Sequence, residues 1–189
     1  MNKKKDILDA AQPLFSQFGL KKVTTDDISR KSKVSKATIY KYFSNKYDIF
    51  HEVVQIETEQ MMDMINKAVE NESSVEEKLK AYLKKKINNI HKLINFYRVT
   101  RETWDEHWPY IAEYHESFFE YEKETVTKIL NNGKNANELD MVDPTLSAHV
   151  LVVSLKSIEY PWALDNLGMT IEQMVDLMID TFMNGVRKR

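Results

Sequence analysis

Cysteine is absent from these 189 residues, which excludes disulfides and thiolate metal sites. Glycine and proline number four each, too few for a protein of sheets and tight turns and well suited to long helices. The glycines stand far apart, at 19, 133, 168 and 185, so neither a phosphate-cradling loop nor a nucleophile elbow can be written. No apolar run approaches the length of a membrane span, and the first residues lack the apolar core of a signal peptide. A cytoplasmic protein with no membrane partner is expected. His51, His91, His107, His115 and His149 share no metal-ligand spacing. His51-Glu52-Val53-Val54-Gln55 begins like a zinc-protease helix, but Gln55 stands where the second histidine is required. No metal, no cofactor and no enzymatic activity are expected.

What is present is charge, sharply divided. Residues 1–50 hold 11 Lys and Arg against 5 Asp and Glu, a net of +6. Residues 51–189 hold 16 against 24, a net of −8. The basic block is the electrostatic footprint of a nucleic-acid binder, whereas the acidic remainder would repel phosphate.

Inside the basic block, residues 24–46 predict two short helices joined by a tight turn. Thr24 caps the first helix, with Asp27 as its capping-box partner. Ile28 and Val34 supply apolar contacts on either side of the turn. Ser35 opens the second helix, where Ile39 and Phe43, four apart, share an inward face. Lys36, Thr38, Tyr40, Lys41 and Tyr42 then offer cationic, hydroxyl and aromatic groups to a DNA groove. This is the pattern of a helix-turn-helix with a recognition helix.

The run from Val34 to Phe50, with Thr38-Ile39-Tyr40, Tyr42-Phe43, Lys46 and Ile49-Phe50 at its fixed points, resembles the signature of the tetracycline-repressor (TetR) family. Ile7 to Ala11, Leu14-Phe15, Phe18-Gly19, Thr24-Thr25 and Ile28 match upstream. The resemblance is specific over residues 3–50; beyond them it rests on length and helical pattern. It implies an all-α fold: a three-helix, helix-turn-helix DNA-binding head at 1–46 and a larger helical ligand-binding and dimerisation body at 47–189. It also implies a dimeric repressor released from a palindromic double-stranded DNA operator by a small-molecule effector. Thr24, Thr25, Ser35, Lys36, Thr38, Tyr40, Lys41, Tyr42 and Lys46 fall at DNA-facing positions. Lys46 matches the family's phosphate-contacting lysine at a helix start, and Tyr42 its neighbouring backbone contact. Two departures stand out. Lys33 occupies a turn position that is often Gly in the family, and Pro13 falls inside the first helix.

Further along, helical spacing and capping signals predict a first helix over 3–18 with Ile7, Ala11, Leu14, Phe15 and Phe18 buried, ended by Gly19. A fourth helix follows from an Asn45 cap to about 69, and another after Ser74 and Glu77. A short helical stretch is expected around 96–104, then a longer helix from about Pro109 to Leu130. Asn131 to Asn135 reads as a loop. Asp143-Pro144 opens a nearly continuously apolar helix read as wholly buried, which Pro161 kinks or ends. Thr170 and Gln173 cap the last helix. The helices at 146–160 and 171–186 carry more apolar surface than one neighbour each would cover, and a homodimer through these last two helices is expected.

Residues 96–121 hold 9 of the chain's 20 aromatics. Core packing and an aromatic-walled effector pocket explain this equally well. For the pocket, Arg101, Trp104, Trp108, Tyr114, His115 and Phe118 are the candidates, with Trp162 beyond. A helical dimeric ligand-binding or interaction protein with a non-functional DNA-binding head is the rival reading. Retention of Lys36, Tyr40, Tyr42 and Lys46 argues against it.

Overall fold

Eight helices account for the regular structure of the described residues, 2–89, 104–156 and 168–187, in a computed structural model. Residues 104–111 and 171 enter by their backbone only. The helices are α1 (Lys3–Phe18), α2 (Thr25–Ser32), α3 (Lys36–Tyr42), α4 (Lys46–Glu70), α5 (Val75–Asn89), α6 (Trp104–Asn135), α7 (Pro144–Lys156) and α8 (Ile171–Val186). An isolated bridge between Leu139 and Arg187 is the sole β-type pairing among the described residues. Two compact units form, one from Met1–Gln60 with His91–Glu116 and one from Met61–Ile90 with Ser117–Arg189. Both α4 and α6 contribute residues to each.

The first unit is built on α1. Asn2 caps it and Gly19, at φ 80°, closes it by donating its N–H to the Phe15 carbonyl, as glycine's tolerance of positive φ allows. Ile7, Leu8, Ala10, Ala11, Leu14 and Phe15 are buried. Phe18, expected in that stripe, is 49% exposed: the helix ends at this residue, and no further turn follows to cover the ring. Pro13 stands within an unbroken helix. The Asp9 carbonyl that it leaves without an N–H belongs to the outer face, where residues 9 and 13 are both exposed to water. The α1 and α4 helices are laced together by Lys4 with Glu52 at 2.6 Å, Gln12 with the buried Glu57 at 2.9 Å, and an edge-on contact of Phe15 with Phe50.

In the second unit α5 packs on α8, with Leu79, Leu83, Val175, Ile179 and Met183 buried. Ion pairs of Lys80 with Asp180 and Lys84 with Asp176, both at 2.8 Å, tie the same two helices at their rims. The expected boxes at Ser74–Glu77 and Thr170–Gln173 are formed, and the Asp143 carboxylate caps α7 through the amides of Thr145 and Leu146.

Three expectations change. The helix starting near Pro109 begins earlier, at Trp104, with Pro109 inside it. The loop at Asn131–Asn135 is the last turn of α6. Gly133 serves close packing there: a Cβ would meet Val75 Cγ2 at 2.5 Å and Leu139 Cδ1 at 2.9 Å. The chain turns only afterwards, at Ala136 and Asn137, the latter at φ 63°. In α7, Ala148, Leu151, Val152 and Leu155 are buried, but Leu146, Val150 and Val153 are largely exposed. A helix apolar all round is thus covered on one side alone. The expected stretch at 96–104 lies outside the described residues up to 103, as does Pro161.

Candidate nucleic-acid interface

Short-range bonds build the reading head. At the start of α2 the Thr24 hydroxyl and amide both donate to the Asp27 carboxylate, at 2.6 and 2.9 Å, and Asp27 N–H returns a bond to Thr24 Oγ1 at 3.3 Å. The hydroxyl and amide of Thr24, with help from Arg30, hold the Asp27 carboxyl below its ordinary value. The box therefore contributes in full above the ordinary carboxylate range, and is lost as pH falls through the lowered one. Ile28, Val34, Ile39 and Phe43 are all buried and hold α2 and α3 against α1. The turn passes through Lys33 at φ 56° and ψ 26°, the left-handed conformation that glycine adopts freely and a lysine adopts at a cost. Ser29 Oγ secures the turn by donating to the Val34 carbonyl at 2.7 Å.

The α3 helix starts at its Ser35 cap, whose Oγ accepts from Thr38 N–H at 3.3 Å and lies 2.9 Å from the Thr38 hydroxyl. With Ile39 and Phe43 turned inward, Lys36, Tyr40, Lys41 and Tyr42 are left exposed, Tyr40 and Tyr42 by 53% and 48%. Lys36 pairs with Asp26 of α2. Thr24 and Ser35 are exposed, and Thr25 and Thr38 half-buried. Eight of the nine residues expected at DNA thus lie on or beside the two helices of the motif. Lys46 differs. Its ammonium donates to three backbone carbonyls, those of Leu20, Lys21 and Val23, at 2.8, 3.0 and 3.0 Å. At the same helix start, Asn45 caps α4 through the amides of Tyr47 and Asp48, and Asp48 accepts from Ser44 N–H.

The candidate effector residues are placed less fully. Arg101 and Trp162 lie outside the described residues, and Trp104 and Trp108 are located in α6 by their backbone. The Tyr114 hydroxyl lies 2.6 Å from His51 Nδ1. Burial, then the charges of Glu113, Glu52 and Glu59, raise its pKa. His115 is half-buried. Phe118 is buried, stacked on Tyr121 at 5.9 Å, with the Lys86 ammonium 5.7 Å from its ring centre. Beside it, Glu122 joins both the Tyr82 hydroxyl and Lys86, all three withdrawn from solvent. Sequence reasoning missed this set: an isolated Lys, Glu or Tyr at a core position has no local signature. An open concavity of about 520 Å³ along the start of α4, bordered by Asn45, Tyr47, Asp48, His51, Glu52 and Gln55, was also unforeseen. Among the described residues no group of His, Asp and Glu is placed to hold a metal ion, and no helix is long and apolar enough to cross a membrane.

A capped α2, a tight turn and an outward-facing α3, braced on α1, make a three-helix, helix-turn-helix head. Residues 7–53 match the family model described as bacterial regulatory proteins, tetR family. The uncharacterized HTH-type transcriptional regulator YhgD of Bacillus subtilis is 37% identical over 70 residues, 37% of either chain. The match thus spans well under half of that relative. A candidate TetR-family regulator of Mesorhizobium loti superimposes with a TM-score of 0.79 at 20% identity, over 98% of this chain and 97% of its own. A candidate transcriptional regulator of Saccharomonospora viridis, in complex with choline, gives 0.78 at 19%, over 98% of both. These likenesses extend the shared fold to the helices beyond residue 53.

Proposed function

We propose that this chain is a dimeric transcriptional repressor that binds a palindromic operator and releases it when a small molecule occupies its body. The observation that carries the reading is α3: Ile39 and Phe43 buried, and Lys36, Tyr40, Lys41 and Tyr42 exposed on a capped, rigid helix in the most basic part of the chain. Residues 1–46 form the DNA-binding domain and 47–189 the ligand-binding and dimerisation domain. Lys36, Thr38 and Tyr40 contact base edges early in α3, while Thr24, Thr25, Ser35, Lys41 and Tyr42 contact the phosphate backbone.

Dimerisation uses α7 and α8. Leu146, Val150 and Val153 form a stripe at helical spacing, 60%, 57% and 46% exposed, and Leu177 of α8 is 56% exposed. Two copies packing these helices as a four-helix bundle would cover both stripes, and twofold symmetry would deliver two heads to two half-sites. The effector contacts the aromatic run that α6 carries, Trp104, Trp108, Tyr114, His115 and Phe118, with Arg101 and Trp162. The choline complex of the Saccharomonospora viridis protein supports a small-molecule site on this fold. A differential affinity of the effector for the DNA-free form worth about 1–3 kcal/mol lowers operator affinity about 5- to 150-fold.

Sequencing of random duplex fragments selected by the purified chain, with and without a metabolite extract, tests the reading. Enrichment of a palindrome that the extract abolishes is the expected result. No enriched sequence overturns operator binding in favour of an interaction protein, and enrichment that no extract alters overturns effector control.

A further inference from the structure

The three carbonyls that meet the Lys46 ammonium belong to the link between α1 and α2. The first helix closes at Gly19, and the second begins only after the Thr24 cap. Between them Val23 N–H bonds back to the Gly19 carbonyl at 3.3 Å. An ammonium carries three N–H bonds spread tetrahedrally, and here they meet three converging acceptors at 2.8, 3.0 and 3.0 Å. The Leu20 and Val23 side chains are buried, so the link is held from below by apolar packing and from above by Lys46. The carbonyl of Val23 immediately precedes Thr24, the cap of α2. Lys46 itself is the first residue of α4, four positions beyond the end of α3. One side chain therefore ties the entrance of the helix-turn-helix to its exit.

We propose that Lys46 is a positioning residue for operator binding, fastening the start of α4 to the α1–α2 link and so fixing how α3 is presented, rather than a phosphate contact. The inference rests on the operator-binding reading above. Loss of the fastening removes three hydrogen bonds and slackens both ends of the motif, which weakens binding to every sequence alike.

Arginine separates the two roles. Its planar fork serves a phosphate at least as well as lysine, but cannot direct three donors into a converging tetrahedral set. Full-length wild type, Lys46→Arg, Lys46→Met and Lys46→Gln would be compared for affinity to the wild-type-selected operator across salt, and for amide exchange over residues 19–24. Each variant is measured where circular dichroism shows it folded, Gln serving if Met does not fold. Lys41→Met is the control, removing an exposed cation from α3. Arg and the neutral variants should all lose about tenfold in affinity, as expected for charge-assisted hydrogen bonds, and exchange faster over 19–24, which Lys41→Met does not. An Arg variant that binds like wild type, beside a Met or Gln variant whose salt slope falls by about one unit, overturns the proposal in favour of a phosphate contact. Unchanged exchange over 19–24 in every Lys46 variant overturns the fastening itself. A wild type that selects no DNA overturns instead the operator reading, while faster exchange in the variants would still identify the fastening.

Discussion

The helix-turn-helix and the second unit obey opposite rules. Between Thr24 and Phe43 the apolar residues Ile28, Val34, Ile39 and Phe43 are inside, and Lys36, Tyr40, Lys41 and Tyr42 face water. In the second unit a charged pair and a tyrosine, Lys86, Glu122 and Tyr82, are inside, whereas Leu146, Val150, Val153 and Leu177 are out. A self-sufficient domain gains nothing from either inversion, since burying ions costs several kcal/mol each and exposed apolar stripes invite association. The difference teaches that the helix-turn-helix completes its own apolar core within one chain. The second unit holds an ion pair inside and leaves uncovered an apolar stripe, on which the proposed second copy would pack.

The sharpest way to break this contrast is to remove one charge from the interior. Lys86→Met leaves Glu122 buried beside Tyr82 without its cation and should cost about 3–5 kcal/mol in urea unfolding at fixed protein concentration. Lys86→Met with Glu122→Leu should recover most of that loss, because an apolar pair of similar volume carries no desolvation cost. A single variant that loses less than 1 kcal/mol would show that the ions reach water and that the second unit is not inverted. A smaller effect is expected at the outer stripe. Val150→Glu should leave the protomer folded, since the side chain is already 57% exposed, yet sediment as a monomer and bind the operator about 10²-fold more weakly, as linkage of two heads is lost. A dimer that survives would move the interface elsewhere. The least effect belongs to the left-handed residue in the turn of the head. Lys33→Gly relieves a left-handed lysine at φ 56° and, after the added entropy of the unfolded glycine, should stabilise by about 0.5–1 kcal/mol. Destabilisation would mean that the Lys33 side chain contributes more than its strain costs.

The head was legible because its determinants are close in sequence. Thr24 and Asp27, Ser35 and Thr38, Asn45 and Tyr47 lie two or three residues apart, and bond across one helical turn. Ile39 and Phe43 point the same way whatever surrounds them. Legibility failed where distant partners decide. Gly133 carries the ordinary mark of a turn, among three asparagines and a lysine, yet it lies within a helix because Val75 and Leu139 crowd its face. The α7 pattern predicted burial but held no information on which of its faces the fold would cover.

By itself, then, the sequence determined the helical class, most helix starts through their caps, the inward and outward faces of α3, and the net positive charge of the first 50 residues against the net negative charge of the rest. These follow from bonds and periodicities within a turn or two of each residue. Only the tertiary structure decided that the Lys46 ammonium meets three carbonyls more than twenty residues upstream, that Lys86 and Glu122 meet in the interior, and that Leu146 and Val150 are left uncovered. Donors, ions and apolar faces each have many acceptable partners, and which of them is met depends on how separate helices pack, a geometry that no local pattern encodes.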